Sequence, residues 1–100
     1  MAGTIGSKPR DAYVEKMHAR IDELAADIDR LEAKARGAKA DAKIEWNERL
    51  EALRARRDAA WARLEALKIG SEAAWENLRS GMEDAWAQLQ AAVKEARSKM

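Results

Sequence analysis

Apolar residues in this chain recur with a period that only a helix satisfies. Val14, Met17, Ile21, Leu24, Ile28, Leu31, Ala35, Ala38 and Ala42 follow one another at alternating steps of three and four, which places them on one face as a heptad seam. The pattern then steps by four twice, through Trp46 to Leu50, a stutter that locally unwinds a supercoil. It resumes at Leu53, weakens at Arg57 and continues through Ala60, Leu64 and Leu67. The last third carries its own repeat: Ala-Trp-x-x-Leu stands at 60–64, 74–78 and 85–89, the second and third copies eleven residues apart. Eleven residues make three nearly straight turns, so Trp75, Leu78, Met82, Trp86, Leu89, Val93 and Met100 share one stripe.

These periods predict an all-α, elongated coiled-coil-type protein. Met1 to Lys8, with two Gly, a Thr and a Ser, reads as a flexible arm. Pro9 suits the first turn of a helix, where its missing N–H costs nothing, and Asp11 complements the positive end of the helix dipole. A long heptad helix is expected from about 10 to 68. Lys68-Ile69-Gly70-Ser71-Glu72 reads as a stop and restart: a basic last turn, Gly past the end, Ser as N-cap and an acid in the first turn. A turn near 69–71 would therefore lead into a second amphipathic helix over about 72–98.

Gly37 divides the first helix into two readings. Antiparallel pairing centred on Gly37 sets Tyr13 against Trp61, Ile21 against Leu53, Leu24 against Leu50 and Ile28 against Trp46, apolar to apolar. A hairpin turning at Gly37 achieves this within one chain, and two continuous helices crossing there achieve it between chains. Glycine costs a helix about 1 kcal/mol relative to alanine, but Gly37 lies among strong helix formers with no other turn residue beside it. The continuous helix is the expectation.

Charge supports antiparallel pairing. Residues 11 to 33 hold three basic and seven acidic side chains, a balance of −4, and residues 34 to 63 hold nine and five, a balance of +4. The whole chain stands at +1, so no global field draws it to nucleic acid or an anionic surface. The sharpest basic cluster, Arg54, Arg56 and Arg57, is interleaved with Glu48, Glu51 and Asp58, and nucleic acid is not an expected partner. With 37% charged residues, one Pro and no Phe, composition matches long helices better than a compact globule. No run of 18 apolar residues and no signal-peptide core is present, so a cytoplasmic location is expected.

No catalytic, cofactor or metal site is expected. His18 is the single histidine, flanked on its own helix face by Glu15 and Asp22, short of the three or four converging ligands that a metal requires. The carboxylate pairs Asp27/Asp29 and Glu83/Asp84 sit on charged faces without an apolar pocket to raise a pKa. Candidate chemistry is therefore association. The expected self-association seam is Val14, Met17, Ile21, Leu24, Ile28, Leu31, Ala35, Ala38, Ala42, Trp46, Leu50, Leu53, Leu64 and Leu67, forming a homo-oligomer such as an antiparallel dimer. The expected partner or surface stripe is Trp61, Trp75, Leu78, Met82, Trp86, Leu89 and Val93. Helix packing is its first use; the alternative is a membrane or other apolar surface, since interfacial Trp suits the bilayer boundary. Against that, residues 71 to 100 hold four basic and five acidic side chains, with no basic bias toward anionic lipid.

The run LEAKARGAKADAKIEWNERLEALRARRDAAWARLEALK at 31–68, followed by AWENLRSGMEDAWAQL at 74–89, resembles the small bacterial coiled-coil proteins often labelled stress-response proteins. The resemblance covers about residues 13 to 98, and the AWxxLxxGxxxAWxxL segment is its most distinctive part. It implies a cytoplasmic, helical, non-enzymatic protein linked to stress. The eleven-residue spacing is also similar to that of apolipoproteins and desiccation-protective proteins, with two in-phase copies here.

Overall fold

A computed structural model describes the backbone of residues 2–99 and the side chains of residues 9–99. The described residues form three α-helices and no strand: α1 over Ala2–Arg36, α2 over Ala40–Ile69 and α3 over Trp75–Lys99, the last preceded by a 3-10 turn at Glu72–Ala74. The helices lie side by side in an elongated bundle of 59 × 18 × 18 Å. α1 and α3 run the same way, and α2 runs against both. Its surface of 6626 Å² exceeds the about 5,700 Å² of a compact protein of this mass, as an elongated shape requires.

The core is built from the predicted faces of all three helices. Met17, Ile21, Ile28, Leu31 and Ala35 of α1, Leu50, Leu53, Ala60, Leu64 and Leu67 of α2, and Met82, Leu89, Val93 and Ala96 of α3 form one buried cluster. Among the described residues none that is polar or charged is buried. Each large side chain fully removed from water contributes about 1.5–3 kcal/mol, so this cluster is what holds the bundle. Ile69, which points off the stripe in an unbroken helix, is 79% exposed at the end of α2.

Three expectations are corrected. The 9–68 helix is not continuous: α1 ends at Arg36 and α2 begins at Ala40, so the chain makes the hairpin that was the less favoured reading. Burial explains it. Folding back covers both halves of the seam within one chain and adds α3 as a third wall, which a lone 60-residue helix cannot do. The turn is centred one residue past Gly37, and the rings take other partners because α3 packs beside α1. Tyr13 meets Trp75 edge-on at 5.6 Å, while Trp61 takes His18 at 5.0 Å. Finally, the expected arm is helical from Ala2, with Pro9 inside α1. A proline removes one bond to the carbonyl four residues back, and the turns on either side can still continue. Met1, the first residue of that arm, and Met100, the last of the predicted stripe, lie outside the described residues.

The turn near 69–71 is present. Gly70 closes α2 with its N–H bonded to the Ala66 carbonyl at 2.9 Å, and Ala74 N–H returns to the Ser71 carbonyl at 3.1 Å. Ser71 stands at the N-cap with extended backbone, but its side chain accepts no capping hydrogen bond.

Candidate functional site: helix faces and the two turns

The predicted seam and the predicted stripe meet in one place, the interior. From the seam, Met17, Ile21, Ile28, Leu31, Ala35, Leu50, Leu53, Leu64 and Leu67 are buried, and Val14, Leu24 and Trp46 pack half-buried against them. Ala38 and Ala42 are half-buried at the hairpin end. From the stripe, Met82, Leu89 and Val93 are buried, and Trp61, Trp75, Leu78 and Trp86 pack half-buried against the same cluster. The two surfaces read as separate in sequence are thus each other's partners. What sequence reasoning missed is that the stripe supplies the third wall for the seam.

Three of the four half-buried tryptophans are finished by arginines. Arg10 lies over Trp75 with its guanidinium carbon 5.3 Å from the ring centre, Arg20 over Trp86 at 4.9 Å and Arg49 over Trp46 at 5.6 Å. A guanidinium over an indole face adds a cation–π attraction and covers apolar area with an aliphatic stem. Two polar atoms in these contacts, Trp86 Nε1 and Arg49 Nε, are buried without a hydrogen-bond partner.

Ion pairs and hydrogen bonds join the helices. Glu32 of α1 accepts from Arg54 of α2 at 2.8 Å and from Arg36 at 3.0 Å. Those two guanidiniums, Arg54 first, hold its carboxyl below the usual glutamate value. Asp27 of α1 stands between Arg30 at 2.5 Å and Arg97 of α3 at 3.7 Å. Tyr13 of α1 donates to Glu83 of α3 at 2.8 Å. Burial, then this bond to a carboxylate, push the phenol's pKa well above its ordinary value. In the basic cluster, Arg54 reaches Glu32, Arg56 donates to Gln88 at 3.0 Å and Arg57 to Asp58 at 3.1 Å. Arg54 and Arg56 thus bond across to α1 and α3, the use that antiparallel packing offers, while Arg57 pairs with its chain neighbour.

The two turns differ in how they are held. At the α2–α3 turn, Arg10 reaches from α1 to donate to the Leu67 carbonyl, at 3.2 and 2.9 Å, and to the Gly70 carbonyl. It thereby satisfies carbonyls left open at the end of α2. A Cβ at Gly70 would run into the Leu78 side chain and come within 2.8 Å of the Ala66 carbonyl oxygen, so this turn demands glycine for space. At the α1–α2 turn, only Gly37 N–H to Lys34 O at 3.2 Å and Ala38 N–H to Ala35 O at 3.1 Å close the end of α1. Lys39 holds the N-cap position of α2 with no side-chain cap bond, and lysine has no acceptor to offer one.

Outside the core, α1 and α3 leave a shallow groove toward the hairpin end. Two neighbouring hollows of about 300 and 390 Å³ lie along it, with Leu24, Leu31 and Val93 in the floor and Arg30, Lys34, Lys94 and Arg97 around the rim. α3 runs to Lys99, and its Arg97 reaches Asp27 and lines a hollow with Leu31 and Lys34 of α1. At the tip of the hairpin Trp46, Ala38 and Ala42 are only half covered. His18 is exposed, its Nδ1 3.4 Å from Asp22. Among the described residues no group of three or more His, Asp or Glu is arranged to hold a metal ion, and no helix is long and apolar enough to cross a membrane.

The fold and these faces define an all-α bundle whose chemistry is helix packing and surface ion pairing. No family model, curated protein or solved structure matches the chain.

Proposed function

We propose that this is a non-enzymatic structural and interaction protein that self-associates through helix packing, in the cytoplasmic, stress-related role that the sequence resemblance implies. One observation carries the reading. The apolar seam keeps its spacing across the α1–α2 turn, at Ala35, Ala38 and Ala42, and at the hairpin tip Ala38, Ala42 and Trp46 remain only half-buried. Small residues on that tip let a further helix approach closely, and its half-covered Trp46 supplies a large apolar contact. The concentration dependence of the solution mass, by light scattering on the intact chain, tests this. A rise above the monomer mass of 11.2 kDa at micromolar concentration is expected; a strictly monomeric mass throughout contradicts it.

Binding of a membrane or apolar granule through the Trp75–Val93 stripe requires α3 to leave the bundle, because Met82, Leu89 and Val93 have no exposure. Tryptophan emission that ignores lipid vesicles is expected. A blue shift appearing only with vesicles would replace self-association with surface binding.

A further inference from the structure

The two turns of this bundle are unequal, and the inequality points to how two copies would join. The α2–α3 turn is fixed by Gly70, which has no room for a side chain, and by Arg10 on the Leu67 and Gly70 carbonyls. Nothing comparable fixes the α1–α2 turn. Gly37 has no positive φ, and a Cβ there would meet only the Lys34 carbonyl oxygen at an ordinary 3.6 Å. The N-cap is a lysine without a capping bond. The residues around it, Lys34 to Lys43, are alanine, lysine, one arginine, one aspartate and Gly37, almost all neutral or favourable in a helix. Breaking the helix here leaves backbone N–H groups at the start of α2 and carbonyls at the end of α1 without intrahelical partners, and a continuous helix would pair them.

From this we infer that the α1–α2 turn is a hinge for exchange: two copies open at 37–39, each fuses α1 and α2 into one helix, and α1 of each packs on α2 and α3 of the other. This rests on the self-association proposed above and gives it a mechanism. The occupant of each seam is a second copy because every contact of the closed chain is available between chains. The acidic 11–33 stretch again faces the basic 34–63 stretch, and each copy's Arg10 caps the other's α2–α3 turn. Exchange of an identical element is a low-cost route to a dimer. The seam steps 35, 38, 42 without a break in phase, so the fused helix keeps its apolar face turned to the partner across the hinge. A short linker sets the intrachain effective concentration near the millimolar range, so the dimer should form on refolding at high concentration.

Two substitutions at the hinge separate the outcomes. Ala40 is the first residue of α2, where proline is favoured, and Lys39 before it already has the φ of −66° and ψ of 155° that proline imposes on its predecessor. Ala40→Pro therefore suits the closed hairpin. In the fused helix it falls in the interior and clashes with the carbonyl four residues back, once in each copy. Gly37→Ala acts the other way. The chains, refolded from urea at high micromolar concentration, are compared by size-exclusion chromatography with light scattering, and circular dichroism checks that each is helical. The expected result is a dimer in the natural chain, roughly three- to ten-fold more of it with Gly37→Ala, and dimerisation weakened at least ~1,000-fold with Ala40→Pro. A dimer that survives Ala40→Pro overturns the exchange while leaving self-association through outer faces standing. Monomers at every concentration in all three chains overturn both.

Discussion

At the scale of single residues, glycine, arginine and tyrosine carry the most specific roles. Gly70 is required by space, since any side chain meets Leu78 and a backbone carbonyl. Overpacking of this kind costs about 1–3 kcal/mol, and Gly70→Ala should lower the urea midpoint accordingly. Gly37→Ala, where the space is open, should leave it unchanged or raise stability by about 0.4–1 kcal/mol through the unfolded chain. Arg10→Ala removes charged hydrogen bonds to two carbonyls and the cover over Trp75, and a loss of about 1.5–3 kcal/mol is expected. Equal urea midpoints for Arg10→Ala and the natural chain would contradict the clamp. Tyr13 is the single tyrosine, so ultraviolet titration reads it alone. With its folded pKa raised by burial and the Glu83 bond, the stabilising contribution is complete below the ordinary value near 10 and is lost as pH rises from there toward the folded value. The phenol should ionise only beyond pH 10, and Tyr13→Phe should remove this alkaline loss. Glu32 has the opposite sign. Its pKa is lowered by Arg54 and then Arg36, so its contribution is present above the ordinary glutamate value and fades as pH falls below it. Glu32→Gln should flatten that acid limb, an effect that salt weakens because the pair is solvent-exposed.

At the scale of elements, legibility in the sequence followed locality. Lys68 to Glu72 carries stop and start residues in order, and the α2–α3 break falls there. The seam and stripe, written in period, name nearly every core residue: Met17, Ile21, Ile28, Leu31, Leu50, Leu53, Leu64, Leu67, Met82, Leu89 and Val93 are all buried within the chain. The α1–α2 break has no such local signal. Lys39 cannot cap, Gly37 adopts no conformation peculiar to glycine, and local preference favours helix throughout. The break is decided by burial between residues far apart in the chain, and propensity does not register that. The ring pairing of Tyr13 was misread for the same reason: its partner Trp75 lies on a helix that the antiparallel symmetry of residues 10–67 does not include. If the core is shared by all three helices, truncating a seam residue and truncating a stripe residue should hurt alike. Leu64→Ala and Leu89→Ala are each expected to cost about 2–5 kcal/mol. A Leu89→Ala variant as stable to urea as the natural chain would mean that α3 does not belong to the core.

At the scale of the whole molecule, the account is that a sequence patterned like a long coiled coil closes on itself. The charge halves, Glu32 with Arg54, Asp27 with Arg97 and the Arg10 clamp then tie the three helices into one elongated body. Closure leaves the exterior highly charged and makes the 37–39 turn the place where the same contacts can be traded between copies. Shape separates the alternatives most directly, because a helix unbroken from Pro9 to Ile69 would span about 90 Å by itself. Small-angle X-ray scattering in line with chromatography and light scattering, read on the monomer peak, measures it. The account predicts a radius of gyration near 16.4 Å and a longest dimension near 59 Å; a monomer-mass species about 90 Å or longer would contradict it.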